Sequence, residues 1–128
     1  MIQFVRFQYG RIVPTLLLLG FLLLLPVLSD GHAFPDHSSP KVGETLSTPP
    51  VGAYIWFDGD LEPSFSRITV QDMSGKRVDQ GNGRVNPSNT VLLEVSLPPL
   101  PKGTYRVIWS IASRDGHRTS GDYSFTIK

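Results

Sequence analysis

The chain has 128 residues, with 12 Lys and Arg against 11 Asp and Glu, and it contains no cysteine. The missing thiols exclude disulfides, thiolate metal sites and cysteine nucleophiles, so an exported domain of this size must be held by its hydrophobic core alone. The near-balanced charge excludes the basic footprint of a nucleic-acid binder.

The first 31 residues are unlike the rest. Arg6 and Arg11 precede an apolar, leucine-dominated run from Ile12 to Leu28, and Ser29, Asp30 and Gly31 follow it. That order is the order of a secretory signal peptide, with the cut expected after Gly31. The alternative is a permanent membrane anchor, for which seventeen mostly apolar residues are just long enough. Pro14, Gly20 and Pro26 oppose a stable spanning helix, because proline removes a backbone donor and kinks the chain. Cleavage leaves residues 32–128, enough for one small domain with one core and no membrane anchor. In that piece four Lys and six Arg balance seven Asp and three Glu, so no nucleic-acid partner is expected.

Beyond His32 the apolar residues alternate in short runs divided by Gly, Pro, Asn and Asp, the period-2 pattern of half-buried strands. A weak strand is expected over Ala33–Ser39. A strong one follows at Ala53–Asp58, with Ala53, Ile55 and Phe57 on its inner face, and another at Arg67–Asp72, with Ile68 and Val70. After the turn Met73-Ser74-Gly75 comes a second weak strand, Lys76–Asp79. Thr90–Leu97 turns Val91, Leu93, Val95 and Leu97 inward, Thr104–Ile111 turns Tyr105, Val107, Trp109 and Ile111, and Asp122–Lys128 turns Tyr123, Phe125 and Ile127. Pro49-Pro50, Gly81-Asn82-Gly83, Asn86-Pro87-Ser88-Asn89 and Pro98-Pro99-Leu100-Pro101 interrupt regular structure between them. No stretch carries a helical apolar stripe. The expectation is an all-β, immunoglobulin-like domain, a seven-stranded antiparallel Greek-key sandwich or barrel.

Three histidines remain after cleavage: His32, His37 and His117. His117 ends the triplet Asp115-Gly116-His117, and in an extended segment residues two apart point to one side, offering a carboxylate and an imidazole to one ion. A terminal His32 adds two nitrogens, because its free α-amine and its ring Nδ1 close a chelate around one metal. Such an amine has a pKa of roughly 7.7–8.0, so a metal displaces its proton at neutral pH with little penalty. Three nitrogens and one oxygen in a tetragonal arrangement suit Cu(II), which heads the divalent affinity order. The plainer alternative is that Asp115 caps a turn, that His117 is a solvated surface residue, and that a histidine after the cut is incidental.

Several segments together resemble the CopC family of exported copper-binding and copper-resistance proteins. They are His32 directly after the signal, Ser38-Ser39-Pro40, Gly43, Pro49-Pro50, Ile55-Trp56-Phe57-Asp58, Phe65 to Val70, Gly75, Gly103 to Trp109, Ser113 to His117, and Gly121 to Phe125. The resemblance implies a periplasmic copper carrier with one Cu(II) per chain, held by His32, Asp115 and His117. It also implies a possible membrane copper permease as partner. Met73 is the only methionine beyond the signal, so the methionine-rich Cu(I) site of some family members is not expected. Where some members carry a histidine at the third mature position this chain has Phe34, and His37 is expected to be solvent-exposed or to lie behind the ligands.

Trp56 and Trp109 are expected as core or sheet-face aromatics rather than a sugar platform. Asp58, Asp60 and Glu62 lie in a Gly- and Pro-flanked loop without the burial a hydrolase acid needs, and no nucleophile-elbow pattern is present. The chain is therefore expected to be a monomeric binding protein and not an enzyme. Two other functions fit parts of the pattern: a copper-dependent oxidative enzyme of the polysaccharide monooxygenase kind, and a metal-free β-sandwich interaction module.

Overall fold

A computed structural model describes residues 32–128, and the expected signal segment 1–31 lies outside the described residues. Among the described residues no helix is long and apolar enough to cross a membrane. Eight strands form two four-stranded sheets. The first sheet has the order β1 (Pro35–Ser39), β3 (Gly52–Phe57), β6 (Asn89–Ser96), β5 (Arg84–Asn86). The second has the order β2 (Thr45–Leu46), β8 (Arg118–Ile127), β7 (Gly103–Ala112), β4 (Arg67–Asp72).

The chain crosses between sheets after each of β1, β2, β3, β4 and β6, and the two sheets bury one face each against the other. Strand alternation then selects the core: Ala53, Ile55 and Phe57 from β3, Leu93 and Val95 from β6, Ile68 and Val70 from β4, Tyr105, Val107 and Ile111 from β7, and Tyr123, Phe125 and Ile127 from β8. The Tyr105 hydroxyl, inside this core, donates to the Pro101 carbonyl at 2.6 Å, which ties the start of β7 to the loop before it.

The all-β sandwich expected from the sequence is present, with differences in its strands. There are eight rather than seven, because Thr45–Leu46 and Arg84–Asn86 are too short to show a period, and β2 runs parallel to β8 where every pair was expected antiparallel. Lys76–Asp79 is not a strand: a lone bridge joins Arg77 to Gln71, and Asp79 uses its carboxylate instead of its backbone. Val91 is half-buried rather than inward, lying where the β5–β6 register slips, whereas Trp109, though only partly buried, packs against the core as expected.

The last strand begins at Arg118, four residues before the expected Asp122. Gly121 looks like an interruption, yet it pairs with Trp109, and a Cβ there would come within 2.6 Å of the indole Cζ2. The glycine makes room for the ring, and the β7–β8 hairpin runs unbroken from Gly103↔Ile127 to Ala112↔Arg118. Residues 113–117 are consequently its turn.

Candidate metal centre

Asp115-Gly116-His117 occupies the tip of that hairpin and is not extended. Gly116 has φ 90°, in the left-handed region that glycine enters without strain, and the turn is closed by Gly116 N–H donating to Ser113 O and Ser113 N–H to His117 O, both at 2.9 Å. Strand alternation therefore does not bring Asp115 and His117 together, as the sequence suggested. A side chain does: Asp115 Oδ1 accepts the His117 N–H at 3.1 Å and the Ser113 hydroxyl, while Oδ2 lies 2.9 Å from His117 Nδ1.

This arrangement has electrostatic consequences. The Ser113 hydroxyl, and next the His117 amide, lower the Asp115 carboxyl to about 2 against an opposing effect of burial, so the group is an anion at any ordinary pH. An anion beside Nδ1 favours the tautomer that carries the proton there, which leaves the Nε2 lone pair for a metal. The turn-capping role of Asp115 and its proximity to the imidazole are thus one structure.

His32 comes to this tip from the other end of the described chain. Its ring meets that of His117 edge to face, with centroids 4.0 Å apart and planes at 80°, and it contacts Phe34 at 5.9 Å. The segment after it is firmly held. Ala33 is only 1% exposed and belongs to the core. Phe34 N–H donates to Asp58 Oδ1 at 2.6 Å, Asp58 N–H donates back to Phe34 O at 2.9 Å, and the Thr119 hydroxyl donates to Ala33 O at 3.3 Å. In the uncut chain the nitrogen of His32 is a peptide nitrogen, and it becomes an amine only when the Gly31–His32 bond is broken.

Among the described residues, no three His, Cys, Asp or Glu side chains stand together in an arrangement that could hold a metal ion. Two imidazoles are in contact and the Asp115 carboxylate touches one of them. A complete donor set needs the main-chain nitrogen of residue 32 and requires Asp115 Oδ2 to turn from His117 Nδ1 towards the ion.

His37 stands apart from this group. It lies within β1, five residues on from His32 and past the register slip between Pro35 and His37, and its exposed ring stacks on Trp56 at 4.5 Å with Nδ1 2.8 Å from Asp36 Oδ2. Trp56 is a half-buried sheet-face residue and Trp109 packs edge-on against Phe57 at 5.3 Å. Among the loop carboxylates, Asp60 accepts the Thr90 hydroxyl and Asp58 holds Phe34, both structural tasks. Sequence reasoning missed Ser113, Asp58 and Thr119. Ser113 had a signal, since Ser-x-Asp-Gly is turn chemistry, whereas nothing local links Asp58 or Thr119 to the residues after His32.

Comparison with known proteins places this geometry in context. The CopC domain model matches residues 35–128, a span that includes Asp115 and His117 and starts three residues after His32. Copper transport protein CutJ of Bacillus subtilis (strain 168) is 36% identical over 113 residues, 88% of this chain but 21% of its own, so the chain spans about a fifth of that relative. Copper resistance protein C of Escherichia coli is 31% identical over 83% of this chain and 90% of its own. The crystal structure of CopC from Methylosinus trichosporium OB3b superposes with a TM-score of 0.67 at 30% identity, covering 76% of this chain and 94% of that one. The two-sheet sandwich, the hairpin-tip Asp115 and His117, and these matches over most of the domain together establish that the chain belongs to the CopC family.

Proposed function

We propose that the processed chain binds one Cu(II) ion through the α-amine and ring nitrogen of His32, the ring of His117 and the carboxylate of Asp115, and that it carries or buffers copper in the periplasm. The observation that carries this assignment is the contact between the His32 and His117 rings, 4.0 Å between centroids, made by residues from opposite ends of the domain. One half-buried and one exposed imidazole in contact beside a charged carboxylate are a poor arrangement for packing and a good one for a divalent cation. The names of relatives, copper transport protein and copper resistance protein, support the same function. Copper is the cargo in this reading, and relatives named for copper transport and copper resistance support binding rather than catalysis. The donors are hard or borderline nitrogen and oxygen, which favours Cu(II), and the one thioether, Met73, is 71% exposed on another turn. A membrane copper permease is the partner this function calls for.

The test is the intact mass and N-terminal sequence of the exported protein, with and without one equivalent of Cu(II). A mature chain starting at His32 that gains one copper, and loses most of its affinity in H32A, in H117A or with one residue added before His32, is the expected result. Unchanged affinity in all three variants refutes the assignment.

A further inference from the structure

We infer that Asp58 and Thr119 are positioning residues for the copper site: they anchor the two residues after His32 so that its amine is delivered beside His117 before any metal arrives. The inference rests on the copper function proposed above and adds residues that no match assigns.

The anchor has three parts. Ala33 is 1% exposed and sunk in the core, so the residue has little freedom to slide. The Asp58 carboxylate, on the residue that follows β3, takes the Phe34 N–H at 2.6 Å, while its own N–H holds Phe34 O. The Thr119 hydroxyl donates to Ala33 O at 3.3 Å, and Thr119 is the second residue of β8, two residues beyond His117 in the turn. One hydroxyl thus ties the peptide adjoining His32 to the strand that leaves the turn carrying its partner imidazole.

The lengths involved make such an anchor consequential. With Ala33 fixed, a single residue separates the amine from a rigid point, about 3.8 Å of chain. Metal–nitrogen bonds are about 2 Å long and tolerate only tenths of an ångström. If Ala33 and Phe34 are free, copper must order them as it binds, at a cost of roughly tenfold in affinity for each residue. Asp58 acts here as an acceptor for one N–H, so its charge is dispensable and asparagine should replace it.

The experiment uses exported protein whose mature terminus is verified by mass, comparing wild type, D58A/T119V, D58N/T119S and H117A. Without metal, the NMR cross-relaxation between the His32 and His117 rings should be lost in D58A/T119V and kept in D58N/T119S. With metal, D58A/T119V should bind Cu(II) about 10- to 100-fold more weakly by chelator competition, with an altered Cu(II) EPR spectrum, and D58N/T119S should recover both. Wild-type ring contact, affinity and spectrum in D58A/T119V overturn the anchor. So does a D58N/T119S variant as weak as D58A/T119V, which would mean that the charge of Asp58 matters. If the ring contact responds as expected but wild type binds Cu(II) no better than H117A, the copper assignment fails, and the positioning role for copper fails with it.

Discussion

Removing the Asp79 carboxylate should cost this protein a large part of its stability, although the residue lies outside every strand. β4 lies at the edge of its sheet, and past its middle Asp79 stands in for a neighbouring strand. One oxygen accepts the Val70 N–H at 2.9 Å, the other accepts the Gly81 N–H at 2.8 Å, and Arg77 Nε reaches both at 3.0 and 2.9 Å. The Asp79 side chain is 0% exposed and Val70 is wholly buried, whereas Arg77 is half in solvent and can rehydrate. In D79A two main-chain donors lose their acceptor, at about 1–3 kcal/mol for the buried Val70 N–H and about 1 kcal/mol for the Gly81 N–H, which water can reach, and the exposed guanidinium contributes little. A total of about 2–4 kcal/mol is a large share of the 5–15 kcal/mol typical of a domain and corresponds to a Tm lower by roughly 10–30 °C. The contribution also has a pH sign. Burial pushes the Asp79 carboxyl up, but the Arg77 bond and the Val70 and Gly81 amides together outweigh it and hold it below its usual value. Its stabilisation is therefore complete above the ordinary carboxylate range, near pH 4, and is lost as pH falls through that range towards the lower folded value. Urea titrations of wild type and D79A at pH 7 and pH 3 measure both effects. A loss under 1 kcal/mol at pH 7, or a gap that widens on acidification, refutes the argument.

Other expectations follow from the same geometry. G83A should lose at least about 1–3 kcal/mol, because a Cβ at Gly83 meets the Ile68 carbonyl, a backbone atom of a central pair that cannot step aside; a Tm within 3 °C of wild type would contradict this. Y123F should change stability by no more than about 1 kcal/mol, since burial raises the Tyr123 phenol to about 12 and the nearby Ser38 side chain offsets that only in part, without a well-formed hydrogen bond to the hydroxyl. A loss above 1 kcal/mol in thermal denaturation would reveal a partner for that hydroxyl. Cu(II) at a thousand times its Kd should stabilise the processed protein by about 4 kcal/mol. Calorimetry that finds no copper-dependent shift at neutral pH would exclude binding to the folded state.

Much of the sandwich can be read along the chain because each long strand must bury one face, and alternation in Ala53–Ile55–Phe57, Ile68–Val70 and Tyr123–Phe125–Ile127 records which one. The pattern failed where packing came from outside the segment. Gly121 is strand only because Trp109 lies over it, and Asp79 left the expected strand because its carboxylate reached the edge of β4. The candidate site divides in the same way. Asp115 and His117 were identified as partners, but on the premise of an extended chain, when a turn closed by Ser113 and Gly116 joins them.

Local order along the chain therefore specified the residue types of a copper site, the all-β class and most of the core, since those depend on composition and on a two-residue period. The meeting of His32 with His117, and the hold of Asp58 and Thr119 on the residues between, depend on contacts across 85, 24 and 86 positions respectively. Contacts of that range leave no periodic trace in a single sequence, because the Asp58 bonds exist only once β1 has paired with β3 and the other two only once the segment before β1 has met the β7–β8 hairpin of the second sheet.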